Sequence, residues 1–124
     1  MKITTFDPLI TSAKADEAIR LFEELGFKKT HTPTTALETT DVTSTRMKDE
    51  NGFHVDIAQW DGLPQDVTLI RMNVDNFDEA YDILIKHGFK NTRGDGTINT
   101  KSVKAATMIS PSGFAISLIE HIKK

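Results

Sequence analysis

The sequence has no cysteine, one tryptophan and one tyrosine. The missing thiols exclude disulfides, thiolate metal sites and cysteine nucleophiles, and they suit a reducing compartment. Also missing is any apolar run of the roughly 18 residues that a bilayer crossing needs. Met1-Lys2-Ile3 leads into alternating rather than continuous apolar sequence, so a signal peptide is not expected. The expected location is cytoplasmic, with no membrane partner. Basic charge is sparse: the four arginines (Arg20, Arg46, Arg71, Arg93) are scattered and the net charge is −3. With no basic stripe to neutralise phosphates, a nucleic-acid partner is not expected. Gly94-Asp95-Gly96 reads as a tight turn, since no phosphate-loop pattern accompanies it, and Ser112 lacks the strand–Ser–helix elbow of a hydrolase.

What is present is ordinary for one globular domain: 124 residues, 38% hydrophobic and 27% charged. Its organisation lies in an internal repeat. Asp16-Glu17-Ala18 matches Asp78-Glu79-Ala80, Gly26-Phe27-Lys28 matches Gly88-Phe89-Lys90, and Thr30 matches Thr92. This gives seven identities in fifteen aligned positions. At nearly the same offset, Met47 matches Met108 and Gly52-Phe53 matches Gly113-Phe114. Each copy reads as strand, helix and three short strands. In the first copy they lie near 2–10, 13–25, 28–34, 42–49 and 53–60. In the second they lie near 67–74, 77–87, 90–94, 102–109 and 114–121.

Ala18, Leu21, Phe22 and Leu25 form an apolar stripe at helical spacing, with Ser12 as N-cap and Gly26 as the stop. Ala80, Tyr81 and Leu84 form the second stripe, behind an Asn76–Glu79 cap pair and ahead of Gly88. Asn51-Gly52 and Pro111-Ser112-Gly113 read as hairpin turns. Residues 61–65 read as a linker between a module at 1–60 and a module at 66–124. Residues 31–41 are either a strand or a loop over the pocket. Met47 and Met108 read as core filling, and His31, His87 and His121 as surface residues.

A tandem β-α-β-β-β pair of this length resembles the vicinal oxygen chelate superfamily, the glyoxalase/bleomycin-resistance/dioxygenase group. The likeness lies in the helix endings Leu25-Gly26-Phe27 and His87-Gly88-Phe89, the strand Ile70 to Asn76, and the strand Gly113 to Glu120. It implies an α+β fold: two modules forming a curved mixed sheet around a cleft, helices on the outer face, often assembled as a homodimer. It also implies a metal site on four strands, at positions matching Asp7, Asp56, Leu69 and Ser117. Leucine cannot coordinate a cation and a neutral serine hydroxyl is a poor substitute for carboxylate or imidazole, so that set is incomplete.

Side chains two apart on a strand share a face. With Leu69 inward, Arg71 and Asn73 follow while Ile70, Met72 and Val74 face the helices. With Asp56 inward, His54, Ala58 and Trp60 follow while Phe53, Val55 and Ile57 pack beneath the helix. Asp7 brings Leu9, and Ser117 brings Ile119. The expected ligand-binding set is therefore Asp7, Leu9, His54, Asp56, Trp60, Leu69, Arg71, Asn73 and Ser117, with Arg71 pairing with Asp56 or Asp7. Trp60 either lines this pocket or seals the linker onto the core. Arg46 is a candidate for the rim of the cleft, with the parity of the 42–49 strand open. Few polar groups on an apolar wall suit a small-molecule site.

The resulting reading is a metal-free binding protein of the bleomycin-resistance type, with no cofactor and no catalytic residue. It would sequester an aromatic or polycyclic natural product, such as an antibiotic, by non-covalent binding. The alternative is a lyase, isomerase or dioxygenase using a divalent ion on Asp7, Asp56 and His54. A third is a structural or regulatory dimer.

Overall fold

The computed structural model describes residues 1–30, 34–35, 43–94 and 97–122. Within them the first copy runs β1 (Ile3–Ser12), α1 (Ala15–Glu24), β2 (Lys28–Lys29), β3 (Thr34–Thr35), β4 (Thr43–Lys48) and β5 (His54–Gln59). The second runs β6 (Val67–Val74), α2 (Phe77–Lys86), β7 (Lys90–Asn91), β8 (Ile98–Asn99), β9 (Val103–Ile109) and β10 (Ala115–His121). The architecture is α+β with a mixed sheet, and the β-α-β-β-β pattern occurs twice. Each copy carries one additional two-residue strand: β3 on β4 and β8 on β9. Of the segment 31–41 only Thr34–Thr35 is described, as β3. The rest of it, His31 included, lies outside the described residues, as do Asp95, Gly96, Lys123 and Lys124.

Contacts divide the chain into two compact units, residues 7–68 and residues 1–6 with 69–124. In the first unit the strand order is β2-β4-β5-β1. Here β1 and β5 are parallel, with Leu9 abreast of Asp56 and Thr11 of Ala58. A parallel pair needs a crossover connection, and α1 lies on it. One face of this sheet is dry because α1 covers it: Ala15 and Ile19 pack on Met47, Val55 and Ile57, with Ile10, Ala18, Phe22 and Phe27 around them.

Three local expectations are corrected here. The buried stripe of α1 centres on Ala15 and Ile19, and Leu21 and Leu25 are exposed. The helix therefore presents a face rotated from the predicted one. Its N-cap is Lys14 rather than Ser12. The Ser12 hydroxyl instead accepts the Lys14 N–H, and Gln59 Oε1 accepts the Ala15 N–H at 3.0 Å. Phe53 does not pack beneath the helix; it is 66% exposed, just ahead of β5.

In the second unit the order is β6-β10-β9-β7, with β6 and β10 parallel. Ile70, Met72 and Val74 lie on the face under α2, whose Phe77, Ala80 and Leu84 pack on Met72, Val74, Met108, Ile116 and Leu118. The Asn76 side chain accepts the Glu79 N–H, as the cap pair predicts, and Glu120 Oε1 accepts the Phe77 N–H at 2.7 Å. Two donors of the first helical turn are thus answered. Residues 1–6 join this unit through the Asp75 N–H, which donates to the Lys2 carbonyl at 3.0 Å.

Both hairpins are one residue longer than a two-residue turn. Asp49 N–H donates to the Phe53 carbonyl, and Asp49 Oδ1 accepts the N–H groups of Asn51 and Phe53. Ser110 makes the equivalent backbone bond to Phe114, and its hydroxyl accepts from Gly113 and Phe114. The third loop residue, Gly52 or Gly113, sits at positive φ (89° and 110°), where only glycine is comfortable.

Met47 and Met108 are fully buried and occupy equivalent places in the two cores. Met47→Ala and Met108→Ala should each lower unfolding free energy by about 2–5 kcal/mol, read by urea denaturation. Gly88→Ala should also destabilise: φ is 88° and an added Cβ would lie 2.8 Å from Pro111 Cγ.

Candidate functional site

With one face of each sheet given to a helix, polar chemistry must gather on the other. In the first unit the helix-free face carries Asp7, Leu9 and Thr11 from β1, and His54, Asp56 and Ala58 from β5. Cross-strand register adds Lys48 abreast of His54, Arg46 abreast of Asp56 and Ser44 abreast of Ala58. Asp56 is 0% exposed and Asp7 5%. Leu9 and His54 are half-buried. Burying two carboxylates in one small unit is costly unless charge or hydrogen bonding compensates. Trp60 follows β5, its N–H donating to the Ser12 carbonyl at 2.9 Å, and its indole is 47% exposed. It therefore stands beside the core rather than in it.

In the second unit the helix-free face carries Leu69, Arg71 and Asn73 from β6, and Ser117, Ile119 and His121 from β10. Arg71 is abreast of Ser117, and Asn73 of Ile119. Thr107 of β9 flanks Ser117 on its other side. Arg71 Nε donates to Asn73 Oδ1 at 3.4 Å. Leu69, Arg71 and Ser117 are half-buried, and Asn73 is buried. The repeat holds at the level of register: Leu9 and Asp56 in one unit correspond to Arg71 and Ser117 in the other.

The residues expected at the site thus fall on the helix-free faces of their own units: Asp7, Leu9, His54 and Asp56 together, and Leu69, Arg71, Asn73 and Ser117 together. None of Asp7, Asp56 and Arg71 turns fully to solvent. One residue's face was left undecided by the sequence. Arg46 was a candidate for the rim, and the register that puts it abreast of Asp56 rests on a loop length the sequence does not fix. His121 is exposed, as the sequence reading has it, and stands on the same face as Ser117, four residues along β10. Partial burial holds its imidazole below the ordinary value of 6.5, and the Arg71 guanidinium adds to the effect.

An open depression of about 470 Å³ lies at the start of α1, lined by Ala13, Lys14, Asp16, Glu17, Arg20 and Gln59. None of the site residues named above lines it, and its two bases and two acids balance.

The donors do not fit the cation that the resemblance implies. Leu69 and Ser117 stand where two ligands would be needed. Among the described residues no group of three or more His, Asp or Glu side chains is placed to grip an ion.

Neither a protein-family model nor a curated protein matches the sequence. Solved structures do match. Glyoxalase I from Zea mays superposes with a TM-score of 0.70 at 14% identity, covering 98% of this chain and 44% of that one. Methylmalonyl-CoA epimerase from Mycobacterium tuberculosis gives 0.69 at 14% identity, covering 98% of this chain and 90% of that one. A glutamine-to-alanine variant of the Streptomyces coelicolor epimerase, in complex with 2-nitronate-propionyl-CoA, gives 0.63 at 13% identity over 98% and 100%. At these identities the likeness establishes the fold alone, the one that glyoxalase I and these epimerases share. The chain spans less than half the length of the maize enzyme. Among the described residues no helix is long and apolar enough to cross a membrane.

The depressed His121 pKa sets a pH dependence. The unfolded chain takes up a proton as pH falls through about 6.5, before the folded one does, so stability falls with pH until the folded imidazole also titrates. His121→Gln should flatten urea-derived stability between about pH 7 and pH 5. Arg71→Met should raise the imidazole titration point seen by NMR only partly, since burial is the larger cause.

Proposed function

We propose that this chain binds a small organic molecule non-covalently, without a resident metal ion, through the helix-free faces of its two modules. The observation carrying this reading is the pair of carboxylates, Asp7 and Asp56, buried on a face that no helix covers. A packed core has no use for them there, whereas convergent polar groups on an apolar wall suit ligand recognition. Asn73, His54 and Ser117 orient the ligand, and Leu9, Leu69 and Trp60 supply apolar contact. An exposed indole favours an aromatic or polycyclic natural product, and sequestration of an antibiotic is the biological form we infer. The reading includes a homodimer in a cytoplasmic setting.

The neighbours named for glyoxalase and epimerase activity keep a second reading in play, a divalent ion on Asp7, Asp56 and His54. The two differ in a direct assay. Because Trp60 is the single tryptophan, its fluorescence reports occupancy. Saturable quenching by bleomycin-type or polyaromatic compounds is expected, with affinity lowered about 2–10-fold in Trp60→Leu as judged by a second probe. Stoichiometric uptake of nickel, zinc, manganese or iron with a large rise in Tm would replace this reading with the second. Light scattering should give twice the chain mass.

A further inference from the structure

We propose that the β2–β4 side of the first unit's helix-free face is an oxyanion subsite, formed by Arg46, Lys48, Lys28 and His54. It would receive a carboxylate or phosphate group of the bound molecule. The inference rests on the small-molecule reading above and adds the ligand's charge.

Register carries the placement. Lys28 of β2 is abreast of Lys48 of β4, which is abreast of His54 of β5. The three therefore form one row across adjacent strands, on the face opposite the buried Met47 and Val55. Directly opposed side chains have Cβ atoms about 4.5–5.5 Å apart, and like charges so placed repel. Nothing in the described residues relieves the two ammonium groups: neither lysine has an ion-pair partner there. The nearest carboxylate in sequence, Asp49, is committed to the hairpin, accepting from Asn51 at 3.0 Å and Phe53 at 2.8 Å.

A second observation is independent of that row. Arg46 lies one step along β4 on the same face, and its Nε is buried with no hydrogen-bond partner among the described residues. A buried charged donor left unanswered costs more than a neutral one, so an acceptor reaching it would lower the energy of this face. Asp56 stands directly abreast of Arg46 on β5, its carboxylate wholly buried, so an anion is held off on that side. Strand order places Asp56 on β5, whereas Lys28 lies on β2 beyond Arg46. The face is thus acidic toward β1 and β5 and basic toward β2 and β4, and an anion settles over the basic side. A guanidinium suits a planar, two-oxygen acceptor, and the flanking ammonium groups supply point charge.

The test is NMR titration of the 15N-labelled full chain with inorganic phosphate and, separately, benzoate, following the Arg46 Nε–H and His54 resonances. Saturable shifts at both are expected with at least one probe. Arg46→Met should weaken that probe about tenfold or more, Lys48→Gln several-fold, and Arg93→Gln not at all. Tighter binding of phosphate assigns a phosphorylated ligand, and tighter binding of benzoate a carboxylic acid. Lys48 is exposed, so Lys48→Gln serves if Arg46→Met does not fold. Non-saturating shifts with both probes, or an unchanged Kd in Lys48→Gln and every folded Arg46 variant, would overturn the subsite. Trp60 quenching by an aromatic ligand together with an unmoved Arg46 resonance sinks this inference alone. Saturable anion binding without any organic ligand sinks the earlier reading alone.

Discussion

A strand has two faces, and in each unit of this protein a helix takes one of them. Most of the rest follows from that division. Met47, Val55 and Ile57 go under α1, and Met72, Met108 and Leu118 under α2, because alternate positions of each strand must bury apolar area together. The polar residues between them, Asp7, His54 and Asp56 in one unit and Arg71, Asn73 and Ser117 in the other, are forced to the opposite surface. The polar chemistry of these faces is what remains once the core has claimed its half of the residues.

That division depends on register, and register depends on two short loops. A two-residue turn at Asn51-Gly52 would have set Arg46 one place along β5, abreast of Ile57 and on the core side. The three-residue loop sets it abreast of Asp56 instead. A single-residue slip reverses every side chain of a strand. The carboxylate of Asp49 and the hydroxyl of Ser110 fix this choice by answering the loop N–H groups at equivalent points of the two copies. These residues touch no site, yet they decide which residues form it.

The copies share their skeleton and differ in their charges. Register equates Leu9–Asp56 with Arg71–Ser117, so an acid in one unit has a hydroxyl as counterpart, and a leucine has a guanidinium. A symmetric cation cage would demand similar donors at equivalent points. The observed asymmetry instead gives one unit carboxylates and the other hydrogen-bond donors.

The amino-acid sequence alone determined the repeat, the order of strands and helices, and the parity of β1, β5, β6 and β10. Identities at fixed offset and period-two alternation are local signals that survive without coordinates. It also determined the α2 cap, since Asn76 and Glu79 act within one turn. It misjudged the α1 stripe: Leu21 and Leu25 have helical spacing, but the surface that accepts the helix chose Ala15 and Ile19. Only the tertiary structure decided the face of Arg46, the surroundings of His121, the exposure of Phe53 and the depth at which Asp7 and Asp56 are buried. Those properties belong to neighbours brought together from distant positions, and no short stretch of chain contains them.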